Sequence, residues 1–406
     1  MSAELIRNLL IFITLGIAVF RVVLNELDIR SSAKALGDET VAKAVAYVRT
    51  KHRFESSTIG FQALLTSSFL LLGWFGEIQR VTAGWVSGAI WQDLLFLLTI
   101  GLGLYLIGIP ASIYSTFVIE AKYGFNRTTA ATFITDRIKG LVIGALIGVP
   151  IILLLLWIYQ VIPTQLWWIA FLILTGVQFI LFAIGTTVLL PLFNKLQELP
   201  AGELRDKIEQ LCKELNYKVK RIFVMDASKR SSKTNAFFSG IGKTKTIVLF
   251  DSMIEKHTVD EVVGVLGHEI GHDRLGHVRS GFINATVQTF LIFALFGWAL
   301  QEPALTQALG GEGTKLVLSL IAFGMLFSPL NFVLSVIQNV ISRRNEHASD
   351  IFASKVYGPK PIISALSRLQ RDNLSNPNPH PLFVAVYYSH PPVEQRVAHV
   401  ERLAKA

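Results

Sequence analysis

Apolar stretches recur along the chain, and each is long enough to cross a membrane. A transmembrane helix needs about 20 mostly apolar residues. Seven stretches meet this condition: 5–25, 58–78, 88–119, 140–162, 165–193, 281–303 and 315–341. The third and the seventh are longer than required, so we expect them to be tilted or to extend beyond the bilayer. The pattern predicts a mainly α-helical polytopic membrane protein with seven transmembrane helices.

The polar parts of the chain form two long segments, 194–280 and 342–406, which the last two apolar stretches separate. Helical spacing predicts a helix over 202–215 with Cys212 on its buried face, and three β-like runs follow at 221–225, 234–239 and 246–250. Glycines and lysines at 240–245 predict a hairpin turn between the last two runs. We therefore expect five transmembrane helices with their loops in 1–193, two more in 281–341, and a split water-exposed domain with a small β-sheet in 194–280 and 342–406.

Composition and charge agree with a membrane protein and indicate its orientation. The chain of 406 residues is 51% hydrophobic and carries a formal net charge of +9. Lys and Arg concentrate in the loops 26–57 and 120–139, whereas the alternate loops contain only Arg80. Basic loops stay on the cytoplasmic side, so we expect the N-terminus outside and the polar segments in the cytoplasm. Contact with anionic lipid explains the positive charge better than binding to nucleic acid does.

The most informative motif is His268-Glu269-Ile270-Gly271-His272. Thr258 and Glu261 predict a capped helix start, and apolar residues follow at helical spacing. Residues four apart share one helix face, so both imidazoles can bind one metal ion, and zinc accepts such ligands. Glu269 lies beside the first ligand, where it can take a proton from the attacking water. We therefore expect one Zn²⁺ per chain and a zinc hydrolase, whose substrate the motif alone does not identify.

A catalytic zinc needs a third protein ligand. On a continuous helix His277 lies about 180° around from His268 and points away, and His257 precedes the helix. Glu346 fits better, because it lies on a predicted helix that continues from the last apolar stretch. Asp350, one turn later, can accept a hydrogen bond from a zinc-bound histidine. His347 is a rival ligand.

Spacing alone leaves a second interpretation of Glu346 open. The segment 342–350 also suits a solvated charged helix, in which Arg343 and Arg344 are the partners of Glu346. In that case Glu346 would have no role at the metal.

Four stretches together resemble the type I CAAX prenyl protease family, integral-membrane zinc endopeptidases distantly related to HtpX. They are the HExxH motif, Ser342 to Ala353 with its Arg-Arg-Asn-Glu core, Asn235-Ala236-Phe237-Phe238-Ser239-Gly240, and Ser389-His390-Pro391-Pro392 with Glu394 and Arg396. The loop from Glu120 to Gly140 resembles the family's loop between its third and fourth spans. The segment His347-Ala348-Ser349 departs from the family pattern. The resemblance therefore extends over about 120–396, with a matching layout of seven spans.

The resemblance implies a gluzincin-like site with Glu346 as the third ligand and Glu269 as the catalytic base. It also implies that His390 helps to stabilise the oxyanion, and that Asn235, Ala236 and Phe237 belong to an edge strand that pairs with the substrate backbone. His390, between Ser389 and a proline pair, could equally be structural. The edge strand could likewise be an ordinary hairpin strand.

The substrate implied by this resemblance is a prenylated protein, from whose C-terminus the CAAX tripeptide is removed on the cytoplasmic side of the endoplasmic reticulum or bacterial inner membrane. Two alternatives remain at this point. One is a membrane-protein quality-control protease of HtpX type that needs no prenyl group. The other is a transporter with a structural zinc, which the open HExxH site disfavours because structural zinc has four protein ligands.

Overall fold

A computed structural model describes residues 1–239 and 245–405, with the side chains of 238 and 239 left aside. The predicted hairpin turn at 240–245 therefore lies mostly outside the described residues. The helices in chain order are α1 Ala3–Ser32, α2 Glu39–Leu71, α3 Trp74–Ala83, α4 Ala89–Tyr114, α5 Ala130–Val161, α6 Leu166–Ile184, α7 Leu190–Phe193, α8 Glu203–Glu214, α9 Asp251–Lys256, α10 Val259–Arg274, α11 His277–Ala299, α12 Pro303–Ala308, α13 Leu316–Tyr357, α14 Pro359–Asp372, α15 Pro381–Tyr387 and α16 Val393–Lys405. Two π-helical segments, Ser115–Glu120 and Gly185–Leu189, extend α4 and α6.

The transmembrane prediction is confirmed. Among the described residues, six helices are long and apolar enough to cross a membrane, and a bent pair brings the total to seven. That pair is α2 with α3, which meet at 67°. The bend follows from Gly73, whose φ of 66° lies in the left-handed region that glycine adopts without strain. Large apolar side chains on the spans are exposed in the isolated chain, as expected for surfaces that face lipid.

Several spans are longer than the apolar stretches that predicted them. The segment 26–57 is largely helical rather than a loop, because α1 continues to Ser32 and α2 begins at Glu39. The last span continues without a break into the polar region as one helix of 42 residues. The prediction that Glu346 lies on a helix continuing from the membrane is therefore confirmed.

A four-stranded sheet supports the polar domain. Its strands are β1 Leu196–Glu198, β2 Arg221–Met225, β3 Ala236–Ser239 and β4 Thr246–Phe250, and their order is β1-β2-β4-β3. The β2–β4 pair is parallel, and the β1–β2 and β3–β4 pairs are antiparallel. This order leaves β3 as an edge strand, as predicted. The short strand β1 was not predicted.

The sheet and helix α8 bury one apolar core with α10. Ile208, Leu211 and Cys212 of α8 pack with Ile247 and Leu249 of β4 and with the apolar face of α10. Cys212 is therefore a buried helix residue, as the spacing predicted, and burial raises the pKa of its thiol to about 11. This core holds α10, the helix of the HExxH motif, in place against α8 and the sheet.

Candidate metal centre and active site

The HExxH helix begins as its sequence predicts. Oγ1 of Thr258 accepts a hydrogen bond from the backbone N–H of Glu261, and the Glu261 carboxylate accepts one from the backbone N–H of Thr258 at 2.9 Å. Glu261 is 2% exposed and also accepts hydrogen bonds from Ser364 and Arg368 of α14. The capping box therefore fixes the start of α10 and joins it to the second polar segment.

Three side chains converge at the end of this helix. Nε2 of His268 lies 3.0 Å from Nε2 of His272, and the Glu346 carboxylate lies 3.3 Å from the first and 3.2 Å from the second. One ligand atom from each of the three residues lies within 4.8 Å of the others. Two imidazoles and one carboxylate form a donor set that suits zinc with an open position. The three residues can therefore hold one metal ion.

The interpretation of the Glu346 segment as a solvated charged helix is wrong. Glu346 is 3% exposed, and its Oε2 lies 3.3 Å from both Nη1 of Arg396 and Nε2 of His268. Arg343 instead donates to backbone carbonyls of α15, including that of Val384 at 3.0 Å. A buried carboxylate is costly unless it is paired or binds a metal ion, and here its partners are the two imidazoles of the HExxH motif and Arg396. The burial of Glu346 therefore fits a metal ligand.

Asp350 lies behind the group and orients its first histidine. Oδ1 of Asp350 lies 2.8 Å from Nδ1 of His268, which leaves Nε2 free to face the metal position. Arg396 of α16 donates two hydrogen bonds to Asp350, at 2.7 and 2.6 Å. Burial works against the charge of His268, but the hydrogen bonds to Asp350 and Glu346 outweigh it and raise its pKa to about 9.

Glu269 and His390 lie near the metal position without belonging to the ligand group. Burial raises the pKa of Glu269, and the imidazoles of His268 and His272 offset this only in part. A carboxylate with a raised pKa is suited to accept and return a proton. Nε2 of His390 lies 3.3 Å from Glu346, and its side chain is 62% exposed. Its Nδ1 lies 2.9 Å from Oγ of Ser389, which restricts the ring orientation.

His277 is closer to the group than a continuous helix predicts. The helix ends at Arg274, and Gly276 with a φ of 75° turns the chain so that α11 begins at His277. Nδ1 of His277 therefore lies 3.2 Å from Nδ1 of His272, and the expectation that it points away is wrong. His347 instead packs against His399, with ring centroids 4.7 Å apart, and His257 is buried beside Glu261. None of the three belongs to the ligand group among the described residues.

A cavity of about 810 Å³ opens beside the metal position. His268, Glu269, Glu346 and His390 line it together with residues of α2, α14 and α15. The edge strand reaches the same cavity, since Asn235 and Ala236 are both in its wall. Phe237 is not, because its ring packs against Phe250 with centroids 6.4 Å apart. The expectation that the backbone of Asn235, Ala236 and Phe237 pairs with a substrate does not depend on side-chain direction, so it stays a prediction.

Comparisons with known proteins decide the family. A family model described as CAAX prenyl protease N-terminal, five membrane helices, matches residues 29–195, and one described as Peptidase family M48 matches residues 198–404. The chain belongs to peptidase family M48. It is therefore an integral membrane metalloprotease. The alternative of a transporter with a structural zinc is wrong.

Proteins with similar sequences are known from several organisms. The CAAX prenyl protease 1 homolog of Oryza sativa subsp. japonica is 34% identical over 379 residues, which cover 90% of this chain and 88% of the relative. CAAX prenyl protease 1 of Saccharomyces cerevisiae is 32% identical over 401 residues, which cover 91% and 87%. The crystal structure of S. mikatae Ste24p matches 99% of both chains with a TM-score of 0.93 and 30% sequence identity.

Two partners in this M48 site were not assigned a role by sequence reasoning. The sequence shows Arg396 only as part of a motif, although Arg396 holds Asp350. Helical spacing excludes His277 as a ligand and gives no sign that it is a neighbour of His272. Spacing within the polar segments could suggest neither contact, because both depend on how separate helices meet.

Proposed function

We propose that this M48 protein is a zinc endopeptidase that removes the C-terminal tripeptide from prenylated CAAX proteins. Supporting this is the meeting of His268, His272 and Glu346 beside Glu269 in a cavity that helices of the membrane part also line. The names of its relatives, CAAX prenyl protease 1 and its homologs, suggest the substrate class. The division into a membrane part and a protease domain split between 194–280 and 342–406 belongs to the same proposal.

In this proposal His268, His272 and Glu346 hold one Zn²⁺. Zinc, when bound, polarises the scissile carbonyl and makes the attacking water more acidic. Glu269 accepts the proton of that water and later gives it to the leaving amine. His390 donates a hydrogen bond from Nε2 to the oxyanion that develops on the carbonyl. Asp350 keeps His268 in the tautomer whose Nε2 faces the metal.

The edge strand positions the substrate backbone. The outer edge of β3 has no strand partner among the described residues, and Asn235 and Ala236 line the cavity at its start. A substrate strand can add to this edge through main-chain hydrogen bonds, while the cavity accepts its side chains. The backbone of Phe237 contributes to this pairing, and its side chain does not contact the substrate.

The distribution of basic residues supports a location for this chemistry. Lys and Arg in 26–57 and 120–139 support a cytoplasmic position for these segments, the metal centre and the C-terminus. We propose the endoplasmic reticulum membrane as the location if the source is eukaryotic, and the inner membrane if it is bacterial. Prenylated proteins are exposed to the cytoplasm, so a cytoplasmic site can reach them.

The test uses purified full-length protein and two peptides that differ only in a farnesyl group on the CAAX cysteine. We expect the farnesylated peptide to be cleaved after the cysteine with the higher kcat/KM, together with about one zinc per chain. Equal cleavage of both peptides would favour a general quality-control protease. Bound zinc without cleavage of either peptide would reject the proposed activity.

A further inference from the structure

Among the described residues, the cavity wall contains one cation, Lys51, that makes no ion pair or hydrogen bond. Most charged side chains in this wall have a partner: Asp28 and Glu55 contact His52, Lys233 contacts Glu120, and Asp350 contacts Arg396. Among the charged side chains of the described residues that line the cavity, only Glu269 and Lys51 make neither an ion pair nor a hydrogen bond, although the charge of Lys51 helps to lower the pKa of Glu55 one turn later. The proposed proton transfer explains why Glu269 lies in the cavity wall. It gives no role to Lys51.

Lys51 lies on the face of α2 that forms the cavity wall. Tyr47, Val48, His52 and Glu55 line the cavity from the same helix, at spacings that place them on one face. Lys51 itself is exposed, so its ammonium group keeps three free donors. The carboxylate of Glu55 contacts His52 rather than Lys51, at 3.1 Å. A cation in a cavity wall whose donors make no hydrogen bond is suited to bind an anionic group of a ligand.

The direction of the edge strand indicates which part of a substrate would reach this face. Antiparallel pairing, the more stable arrangement per residue, sends the substrate residues after the cut towards the N-terminal end of β3. Thr234 and Lys233 precede that end, and Nζ of Lys233 lies 2.9 Å from Oη of Tyr47 on α2. The N-terminal end of β3 therefore meets the face of α2 that carries Lys51, one turn after Tyr47.

The chemistry of a CAAX substrate places a negative charge on this side. Cleavage after the cysteine leaves three residues, which end in a free carboxylate about 10 Å from the cut in an extended chain. Lys233 is not its partner, because Glu120 lies 2.9 Å from Nζ of Lys233 and neutralises its charge. Apolar side chains of Val48, Phe250 and Met253 also line the cavity and suit the apolar residues of the tripeptide.

We infer that Lys51 binds the C-terminal carboxylate of the substrate and so makes a free chain end part of what this protease recognises. This inference rests on the proposed function, since it assumes cleavage three residues from a C-terminus. The carboxylate accepts hydrogen bonds from the Lys51 ammonium group while Asn235 and Ala236 hold the backbone at the edge of β3.

The experiment compares two farnesylated peptides that end in cysteine, valine, isoleucine and methionine, one as the free acid and one as the C-terminal amide. The native protein should cleave the acid with a kcat/KM at least about ten-fold higher, the effect of one charge-assisted hydrogen bond. Lys51→Ala should cleave acid and amide at similar kcat/KM, and Lys51→Arg should keep the preference. Lys43→Ala, an exposed lysine on the same helix that does not line the cavity, is the matched control and should also keep it.

Two results would overturn the inference and leave the proposed function intact. One is equal cleavage of acid and amide by the native protein. The other is a preference for the acid that persists in Lys51→Ala. If neither farnesylated peptide is cleaved at all, the proposed function fails first, and the inference falls with it. Because Lys51 is exposed and makes no ion pair or hydrogen bond with the described residues, its replacement should leave the thermal unfolding midpoint unchanged.

Discussion

Oδ1 of Asp350 lies 2.8 Å from Nδ1 of His268, although the two residues belong to different polar segments of the chain. Both are buried, and Arg396 of a third helix neutralises the carboxylate. The contact joins the HExxH helix to the extension of the last transmembrane span. It therefore couples the geometry of the metal centre to the packing of α10 against α13.

Asp350→Asn should weaken metal binding while the protein stays folded. The amide oxygen can still accept a hydrogen bond from His268, but the negative charge that supports the imidazole and pairs with Arg396 is lost. Replacing such a partner costs about 10–100-fold in metal affinity or activity. Zinc affinity measured by competition with a chelator checks this. Asp206→Asn, on the exposed side of α8, is the control and should bind zinc like the native protein.

Glu269→Gln should separate metal binding from catalysis. Glu269 is not one of the three converging ligands, so its replacement should leave the zinc content unchanged. Loss of the proton acceptor should reduce kcat on a farnesylated peptide by about 10²–10⁴-fold. Zinc content and cleavage are measured on the same sample. Full proteolysis by Glu269→Gln would contradict the role of Glu269 as proton acceptor. The matched control is Glu255→Gln, at an exposed position on α9, which should keep both zinc and activity.

Local patterns predicted the elements of this protein well, and contacts between elements less well. The HExxH helix, its capping box and the strands β2 and β4 each depend on neighbouring residues, and apolar length alone located the spans. His277 was misplaced because a single glycine, Gly276, turns the chain between two helices. From sequence, a helix that continues through a glycine and one that breaks there look alike.

The third candidate ligand, Glu346, also depends on contacts between elements that the sequence pattern does not show. Spacing left Glu346 equally suited to a metal centre and to a solvated helix, because its burial depends on α10, α16 and the segment that carries His390 meeting around it. Only the resemblance to a family favoured one interpretation. The short strand β1 was missed for a related reason, since its three residues are fixed by pairing with β2 rather than by their own pattern.

His277→Ala should reduce zinc affinity by up to about ten-fold, at the lower end of the effect of groups that orient a ligand. Nδ1 of His277 lies 3.2 Å from Nδ1 of His272 and can fix the orientation of that ring. His277→Gln keeps a hydrogen-bonding group and should lose less. Zinc affinities that match the native value in both variants would show that the contact does not matter. Arg279→Ala, exposed two residues later on α11, controls for changes in that helix.

Gly271 and Gly267 of the HExxH helix should respond in opposite ways to alanine. In a helix interior, glycine costs up to about 1 kcal/mol relative to alanine, so propensity alone favours both replacements. A Cβ at Gly271, however, would lie 3.1 Å from Cδ1 and 3.3 Å from Cβ of Phe352. At Gly267 the nearest atom would be Cβ of Ala353 at 3.6 Å, an ordinary contact.

Gly271→Ala should therefore lower the free energy of unfolding by about 1–3 kcal/mol, the usual cost of overpacking, and should weaken zinc binding because His272 is the next residue. Gly267→Ala should leave stability unchanged or raise it by up to about 1 kcal/mol. Thermal unfolding in detergent, with and without added zinc, measures both variants. If the two variants have equal stability, close packing of α10 against α13 is not the reason that this helix contains glycine beside its ligands.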